Sequence, residues 1–305
     1  MRRVVFKNRA LDVVGHLHLP PDFDETRRYP TLVLSTPGSS VKEQVGGIYA
    51  SRLAEHGFVA LTFDPTYQGE SAGEPRDLES PAARTQDIHS AVDFLTTLSF
   101  VDDDRLGMLG ICAGGGYAIQ AALTERRFKA LGTVVASDLG RAFRRMVDVE
   151  ETLEAVARQR TAQAHGEPVR RDPWIPDSLK DAEEAGVTDP EILEAIAFYR
   201  ESEFRHPNST NRLLFTSYGE ILGFDSFHLV PELLTLPLQV IVGGRRGATG
   251  QYEAGVLLHD LSPATDKAIF VVEGAGHYDL YYRAEPVAVA IGQLADFFRR
   301  TLSRR

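Results

Sequence analysis

The sequence predicts an α/β protein in which one mostly parallel, eight-stranded sheet is covered by helices on both faces. Three observations carry this. Short apolar runs of strand length alternate with amphipathic segments of helix length towards both ends of the chain. At 110–115, a strand runs through a glycine-flanked cysteine directly into a helix. A chain of 305 residues with 43% hydrophobic composition is ample for one large core.

Residues 3–7 and 11–19 are β-rich and joined by a short turn at Asn8, a hairpin pattern. The apolar run 31–35 ends at Thr36-Pro37-Gly38. The amphipathic stretch 41–56 stops at Gly57, a helix C-cap signal. A second apolar run, 58–63, ends at Asp64-Pro65. Residues 81–98 carry Ile88, Val92 and Leu95 at helical spacing. Strand 105–111 leads into Cys112, followed by helix 113–124 and strand 130–136. The alternation then breaks. Between 140 and 232 the pattern is helical, clearest over 150–165 and 190–202, with Pro168, Pro173, Pro176 and Pro207 as punctuation and the single tryptophan, Trp174. The sheet pattern returns with strand 238–242, helix 252–261, strand 268–272 and helix 286–300. The domain reading is a core of 1–139 and 233–305, with 140–232 an all-helical lid or cap. A packing or dimerisation extension is the alternative, which leaves room for a homodimer.

The formal net charge is −10. An acidic chain repels phosphate backbones, so nucleic acid is not an expected partner. One cysteine allows no internal disulfide and suggests a reducing compartment. The N-terminal stretch lacks a sustained apolar segment and a small-residue cleavage site, so it does not read as a secretory signal. No apolar stretch approaches membrane-spanning length. The expectation is a soluble, cytoplasmic protein without a membrane partner.

The motif Gly110-Ile111-Cys112-Ala113-Gly114-Gly115 has the form G-x-C-x-G, with cysteine where the G-x-S-x-G nucleophile elbow has serine. A strand that turns sharply into a helix strains its apex residue, and side chains two positions away would clash. The apex then sits at a helix N-terminus, where the dipole favours a thiolate and the next amide can face an oxyanion. A buried structural cysteine is one competing reading. A phosphate-binding G-x-G-x-x-G loop is another, but Cys112 occupies its second glycine position.

Of nine histidines, His277 follows a strand through Glu273-Gly274-Ala275-Gly276 and precedes the last helix. The order nucleophile, then histidine, suits an α/β-hydrolase. His16 and His18 alternate on a strand, but no third ligand has metal-site spacing. They are expected on the surface, and no metal or cofactor is expected. Thr36-Pro37-Gly38-Ser39-Ser40 follows the first buried strand. The amides of Ser39 and Ala113 are the candidate oxyanion hole, with an ordinary Pro-Gly turn as the alternative. Tyr67 and Trp174 are candidate substrate-binding residues.

Four blocks, 37–44, 63–71, 110–118 and 274–281, make the chain resemble the cysteine-nucleophile α/β-hydrolases related to dienelactone hydrolase. It is similar in particular to a bacterial and fungal group reading roughly PGGGVKEQ, FDxxYxGES, GxCAGGGYA and GxxHxDLY. The resemblance implies the α/β-hydrolase fold and hydrolysis or acyl transfer; some fungal relatives release polyketide chains as acyltransferases. The sequence departs from the pattern twice. Ser39 and Ser40 replace glycines. The acid expected after strand 238–242 is missing, and Gly247 falls about where relatives carry Asp. Asp138, at the end of strand 130–136, is the first candidate for the missing acid, ahead of Glu220, Asp225 and Asp279.

The sequence therefore predicts attack by a Cys112 thiolate, formed with help from His277 and the helix dipole, on an ester, lactone or thioester of a small-molecule acyl substrate. The alternatives are a repurposed fold catalysing cyclisation, isomerisation or elimination without an acyl-enzyme, and a non-catalytic small-molecule binder.

Overall fold

A computed structural model describes residues 1–303. In chain order, the first half comprises β1 (Arg2–Asn8), β2 (Leu11–His18), β3 (Tyr29–Ser35), α1 (Val45–Glu55), β4 (Val59–Phe63), α2 (Pro81–Leu95), β5 (Val101–Ile111), α3 (Ala113–Thr124) and β6 (Phe128–Val134). The stretch that follows holds α4 (Leu139–Met146), α5 (Val149–Ala164), β7 (Arg171–Pro173), α6 (Leu179–Glu184) and α7 (Pro190–Ile196). It continues through a π-helical turn (Ala197–Glu201) to β8 (Arg212–Leu214), α8 (Ser217–Leu222) and α9 (Val230–Leu233). The chain closes with β9 (Leu238–Gly243), α10 (Gln251–Leu261), β10 (Lys267–Val272), α11 (Asp279–Tyr282) and α12 (Ala284–Thr301).

Eight strands form one sheet in the order β1-β2-β4-β3-β5-β6-β9-β10. The β1–β2 hairpin is antiparallel and β2 meets β4 antiparallel, while every pairing from β4 to β10 is parallel. This is the sheet the sequence predicts, in an α/β-hydrolase arrangement. Its central strands are mostly buried, β4 and β9 at every position, because helices cover both faces. On one face Ile88 and Val92 of α2 and Tyr117 and Ile119 of α3 share a core with Leu258 of α10. On the other, Tyr49 and Leu53 of α1 pack with Ile291, Leu294 and Phe298 of α12. Helix α12 buries Val287, Ala290, Ile291, Leu294, Ala295 and Phe298, a stripe of three- and four-residue steps. Helix α2 starts at Pro81 behind Ser80, whose hydroxyl accepts the Ala83 N–H. Among the described residues no helix is long and apolar enough to cross a membrane.

Two local expectations change. Helix α1 begins at Val45 rather than 41, because Lys42 gives both its N–H and its Nζ to the buried Asp64, at 2.8 and 2.9 Å, and this holds 41–44 in a turn. The stretch 140–232 is not all helical: β7 and β8 pair as a short antiparallel ribbon. Three residues each, one of them proline, give no apolar run for a sequence pattern to register.

The loops that follow β3, β5, β6, β9 and β10 share the C-terminal edge of the parallel strands, where open α/β sheets bind ligands. The segments between β6 and β9 lie against those loops and, together with them, enclose a cavity.

Candidate active site

The cavity has a volume of about 300 Å³. Its floor is Pro37–Ser39, Cys112, Ala113 and Ser137, one side is His277, Tyr278 and Tyr281, and its cover includes Phe143, Trp174, Ile192 and Tyr199 from the inserted stretch. Its lining is mostly apolar and aromatic, with few polar groups, the usual makeup of a small-molecule site.

Cys112 caps α3 with φ 55° and ψ −126°, the strained apex of the turn. Its carbonyl accepts N–H groups from Gly115 and Ser137 at 2.8 and 2.9 Å, which fixes the turn. The glycine spacing has a steric cause: a Cβ on Gly110 would lie 2.6 Å from that of Ala118, and one on Gly114 would lie 2.3 Å from the Ser35 carbonyl oxygen. The sulfur meets the Ala113 N–H and the Tyr281 hydroxyl. Burial nevertheless pushes the Cys112 thiol up; the contacts with Tyr281 and Ala113 pull the other way, and the charge of Glu191 adds to the rise. Burial thus favours the thiol at rest over the thiolate that the helix dipole would support.

His277 is fully buried. Its Nε2 is 3.1 Å from the Tyr281 hydroxyl, and its Nδ1 makes no hydrogen bond. Burial pulls its pKa down to about 3, so the ring is neutral at rest. Among the described residues no hydrogen bond joins Cys112 to His277. Tyr281, itself 1% exposed, stands between them and meets both. A further tyrosine, Tyr199, reaches Tyr281 and Ser40.

Ser39 and Ala113 both line the cavity floor beside Cys112. Ser39 has φ 59°, and its carbonyl accepts the Ser209 hydroxyl from the inserted stretch at 2.7 Å. Arg84 braces the turn from below. Its guanidinium binds the carbonyls of Thr36 and Pro37, lies 3.4 Å from Glu79, and sits 4.8 Å from the centre of the Tyr117 ring. Glu79 in turn accepts the Tyr117 hydroxyl at 2.6 Å.

Trp174 lies in the cavity. Its Nε1 donates to the Arg212 carbonyl at 3.1 Å, and its indole covers Gly38, where a Cβ would come within 2.8 Å of the ring.

Two expected site residues lie elsewhere. Asp138 does not orient His277. It is the N-cap of α4: one oxygen accepts the Arg141 N–H at 2.9 Å and the other the Ser226 N–H at 3.0 Å, which ties α4 to the segment before α9. Tyr67 is not among the residues that line the cavity. Its N–H and carbonyl bond Ala72 and Asp77, and its ring lies against Gly73, so it builds the loop after β4. His18 is buried and His16 partly buried, not surface residues. His16, Glu43 and Glu70 approach one another closely enough to hold a cation. The Lys42 ammonium already supplies one there, 2.8 Å from Glu43, 2.9 Å from Asp64 and 2.5 Å from Glu70.

Sequence reasoning missed Tyr281, Arg84 and Glu191. Tyr281 stood in the quoted block 274–281 without a role. Arg84 and Glu79 gave no signal, being charged residues in and before an ordinary helix. Glu191, on α7, is 6% exposed and lines the cavity.

An eight-stranded, mostly parallel sheet with this turn at the end of β5 defines an α/β-hydrolase. The chain belongs to the family described as X-Pro dipeptidyl-peptidase (S15 family), whose model matches residues 13–173. It is 39% identical to the uncharacterized protein YcjY of Escherichia coli (strain K12), over 97% of this chain and 96% of that one. It also matches the crystal structure of hypothetical protein PA2218 from Pseudomonas aeruginosa, with a TM-score of 0.87 and 32% identity, over 98% of this chain and 93% of that one. The polyketide transferase grgF of Penicillium sp. is 23% identical over 92% of this chain and 91% of that protein.

Proposed function

We propose that the protein cleaves or transfers an acyl group from an ester, lactone or thioester through an acyl-cysteine at Cys112. The observation that carries this is the strained elbow, which holds the Cys112 sulfur at the cavity floor within reach of the Ala113 N–H and of Tyr281, itself bonded to His277. Family membership in the α/β-hydrolases supports hydrolase chemistry. The polyketide transferase among its relatives supports transfer to an acceptor other than water.

In the proposed sequence the thiol proton passes to the Tyr281 oxygen as the tyrosine proton passes to His277 Nε2, so the phenol ends unchanged and the ring becomes imidazolium. The sulfur bonds to the carbonyl carbon, and the carbonyl oxygen takes the electron pair. The amides of Ala113 and Ser39 stabilise that oxyanion, with the Ser39 turn held by Arg84. The C–O or C–S bond breaks, and the leaving group takes the proton from His277. Water, or an acceptor alcohol or amine, then gives its proton to the neutral ring as its oxygen or nitrogen bonds to the acyl carbon. The C–S bond to Cys112 breaks, the sulfur takes the proton back from His277 through Tyr281, and the acyl group leaves. Thioesters and activated esters suit this site, because a thiol that is neutral at rest must be activated within the buried complex. The apolar cover of Phe143, Trp174 and Ile192 suits an apolar acyl chain.

Turnover of short p-nitrophenyl esters and acyl thioesters by Cys112→Ala tests the reading. The expected result is loss of turnover with an unchanged unfolding transition. Undiminished turnover would remove the acyl-cysteine and favour chemistry without an acyl-enzyme.

A further inference from the structure

An imidazolium formed in a site this buried needs a counter-charge. The loop after β9 supplies none: it reads Gly243-Gly244-Arg245-Arg246-Gly247-Ala248. The structure puts a carboxylate there from another element. A Cβ built on Gly247 would lie 2.1 Å from Glu191 Cδ and 2.4 and 2.5 Å from its two oxygens. The carboxylate oxygens of an aspartate lie about 2.4 Å from its own Cβ. Glu191, reaching in from α7, thus fills the space that a short acidic side chain at 247 would occupy, and a side chain at 247 is sterically excluded while it is there.

Glu191 Oε2 accepts the Thr249 N–H at 2.7 Å, whereas Oε1 is buried and makes no hydrogen bond. His277 Nδ1 is likewise buried without a partner, and both side chains line the one cavity. The other carboxylate of the lining, Asp189, is occupied as the N-cap of α7, accepting the N–H groups of Glu191 and Ile192. Helix α7 is also fastened to the histidine loop. Glu194 pairs with Arg245 at 2.7 Å, Arg245 with Asp279 at 3.0 Å, and Asp279 accepts the Gly276 N–H at 2.8 Å. Burial, reinforced by Asp189 and Glu194, raises the Glu191 pKa, and the Thr249 donors only partly offset it. Such a carboxylate gains most from meeting a cation.

We propose that Glu191 is the positioning carboxylate for His277, delivered by the inserted stretch in place of an acid on the loop after β9. As Nε2 takes up the thiol proton, Nδ1–H donates to Glu191 Oε1 while Oε2 stays on Thr249. No proton leaves the ring, and the order nucleophile, acid, histidine is kept along the chain. The inference rests on the Cys112–His277 reading, so its test has a readout that does not need turnover.

The variants are Glu191→Gln, Glu191→Ala, and Glu191→Ala combined with Gly247→Asp. Gly247 is not in the left-handed region, so aspartate fits its backbone once Glu191 is truncated. On a short p-nitrophenyl ester, both single variants are expected to lower kcat by about 10²-fold with little change in KM, and the double variant to recover at least about 10-fold of it. The ¹⁵N spectrum of His277, recorded in the Cys112→Ala background, is expected to show the Nδ1-protonated tautomer with Glu191 present. It should lose that preference in the single variants and regain it in the double variant. An unchanged tautomer, or kcat within about threefold of the parent in both single variants, would overturn the proposal. So would a KM rise confined to substrates bearing a hydroxyl or amine, which would make Glu191 a substrate-binding group. If the parent protein turns over no acyl substrate, the tautomer alone decides the role of Glu191.

Discussion

Two buried ionisable clusters flank the turn that follows β3. On one side, Lys42 is fully buried among Asp64, Glu43 and Glu70, and Asp64 accepts from the Lys42 N–H and Nζ and from the Glu70 N–H. Burial works against the ammonium, but the three carboxylates outweigh it and hold its pKa above the ordinary lysine value. On the other side, Cys112, His277 and Glu191 share a cavity wall, yet His277 Nδ1 and Glu191 Oε1 have no partners and burial disfavours the charge on every member. Both clusters cost desolvation. In the first, the Lys42 ammonium recovers it within the fold through its three carboxylates and holds the 41–44 turn in place, although burial still raises the Asp64 pKa and Glu43 Oε2 has no partner. The second has nothing to recover it until a proton moves, which is what a catalytic constellation requires.

Breaking the Lys42 cluster should give the largest stability effect. Lys42→Met leaves Asp64 as an uncompensated buried charge and is expected to cost about 3–5 kcal/mol in urea unfolding. A loss below about 1 kcal/mol would mean that the pairing contributes little. Breaking the unsatisfied cluster should act on rate instead. Tyr281→Phe removes the proposed relay hydroxyl and is expected to lower kcat by roughly 10- to 100-fold. Its unfolding midpoint should move little, because the ring remains to fill its place against Phe198 and His277. Equal loss in fold and rate would mark Tyr281 as a packing residue.

The cavity cover can be tested more gently. Trp174→Ala opens space over Gly38 and is expected to change KM for long acyl chains several-fold more than for acetyl. An identical loss for every chain length would point to a purely structural role.

The smallest effect is on stability against pH. His277, with its pKa pulled down to about 3 by burial, binds fewer protons folded than unfolded, where its pKa is near 6.5. Its contribution is fully present above pH 6.5 and is lost as the pH falls from there towards 3. His18, at about 4, acts in the same sense, while Asp87, raised by burial to about 6, acts in the opposite one. The difference between the parent and His277→Gln isolates one group: the gap in unfolding midpoint should narrow on going from pH 7 to pH 5. A gap independent of pH would contradict the burial of a neutral ring.

The same contrast explains how much was legible in the sequence. The elbow was legible because the strand–cysteine–helix turn fixes where its glycines must fall, Gly110 against Ala118 and Gly114 against Ser35. The sheet was legible because strands buried on both faces read as continuous apolar runs. His277 could be picked out by its place after the last strand. The absence of an acid at Gly247 was visible, but its replacement was not, since Glu191 arrives from a helix more than fifty residues away and only packing brings it there. Asp138 was chosen for its position at a strand end, yet the same position made it a helix N-cap. The short β7–β8 ribbon and the Arg84–Glu79 brace likewise depend on tertiary contacts that leave no periodic trace.

The most direct test of the acyl-cysteine is intact-mass analysis of acid-quenched protein after brief exposure to a short acyl thioester. The account predicts one added acyl group, located on Cys112 by peptide mapping, which is sharply reduced in His277→Gln and absent in Cys112→Ala. Turnover of that thioester with no adduct on Cys112 in the parent, and at an equal rate in Cys112→Ala, would contradict it.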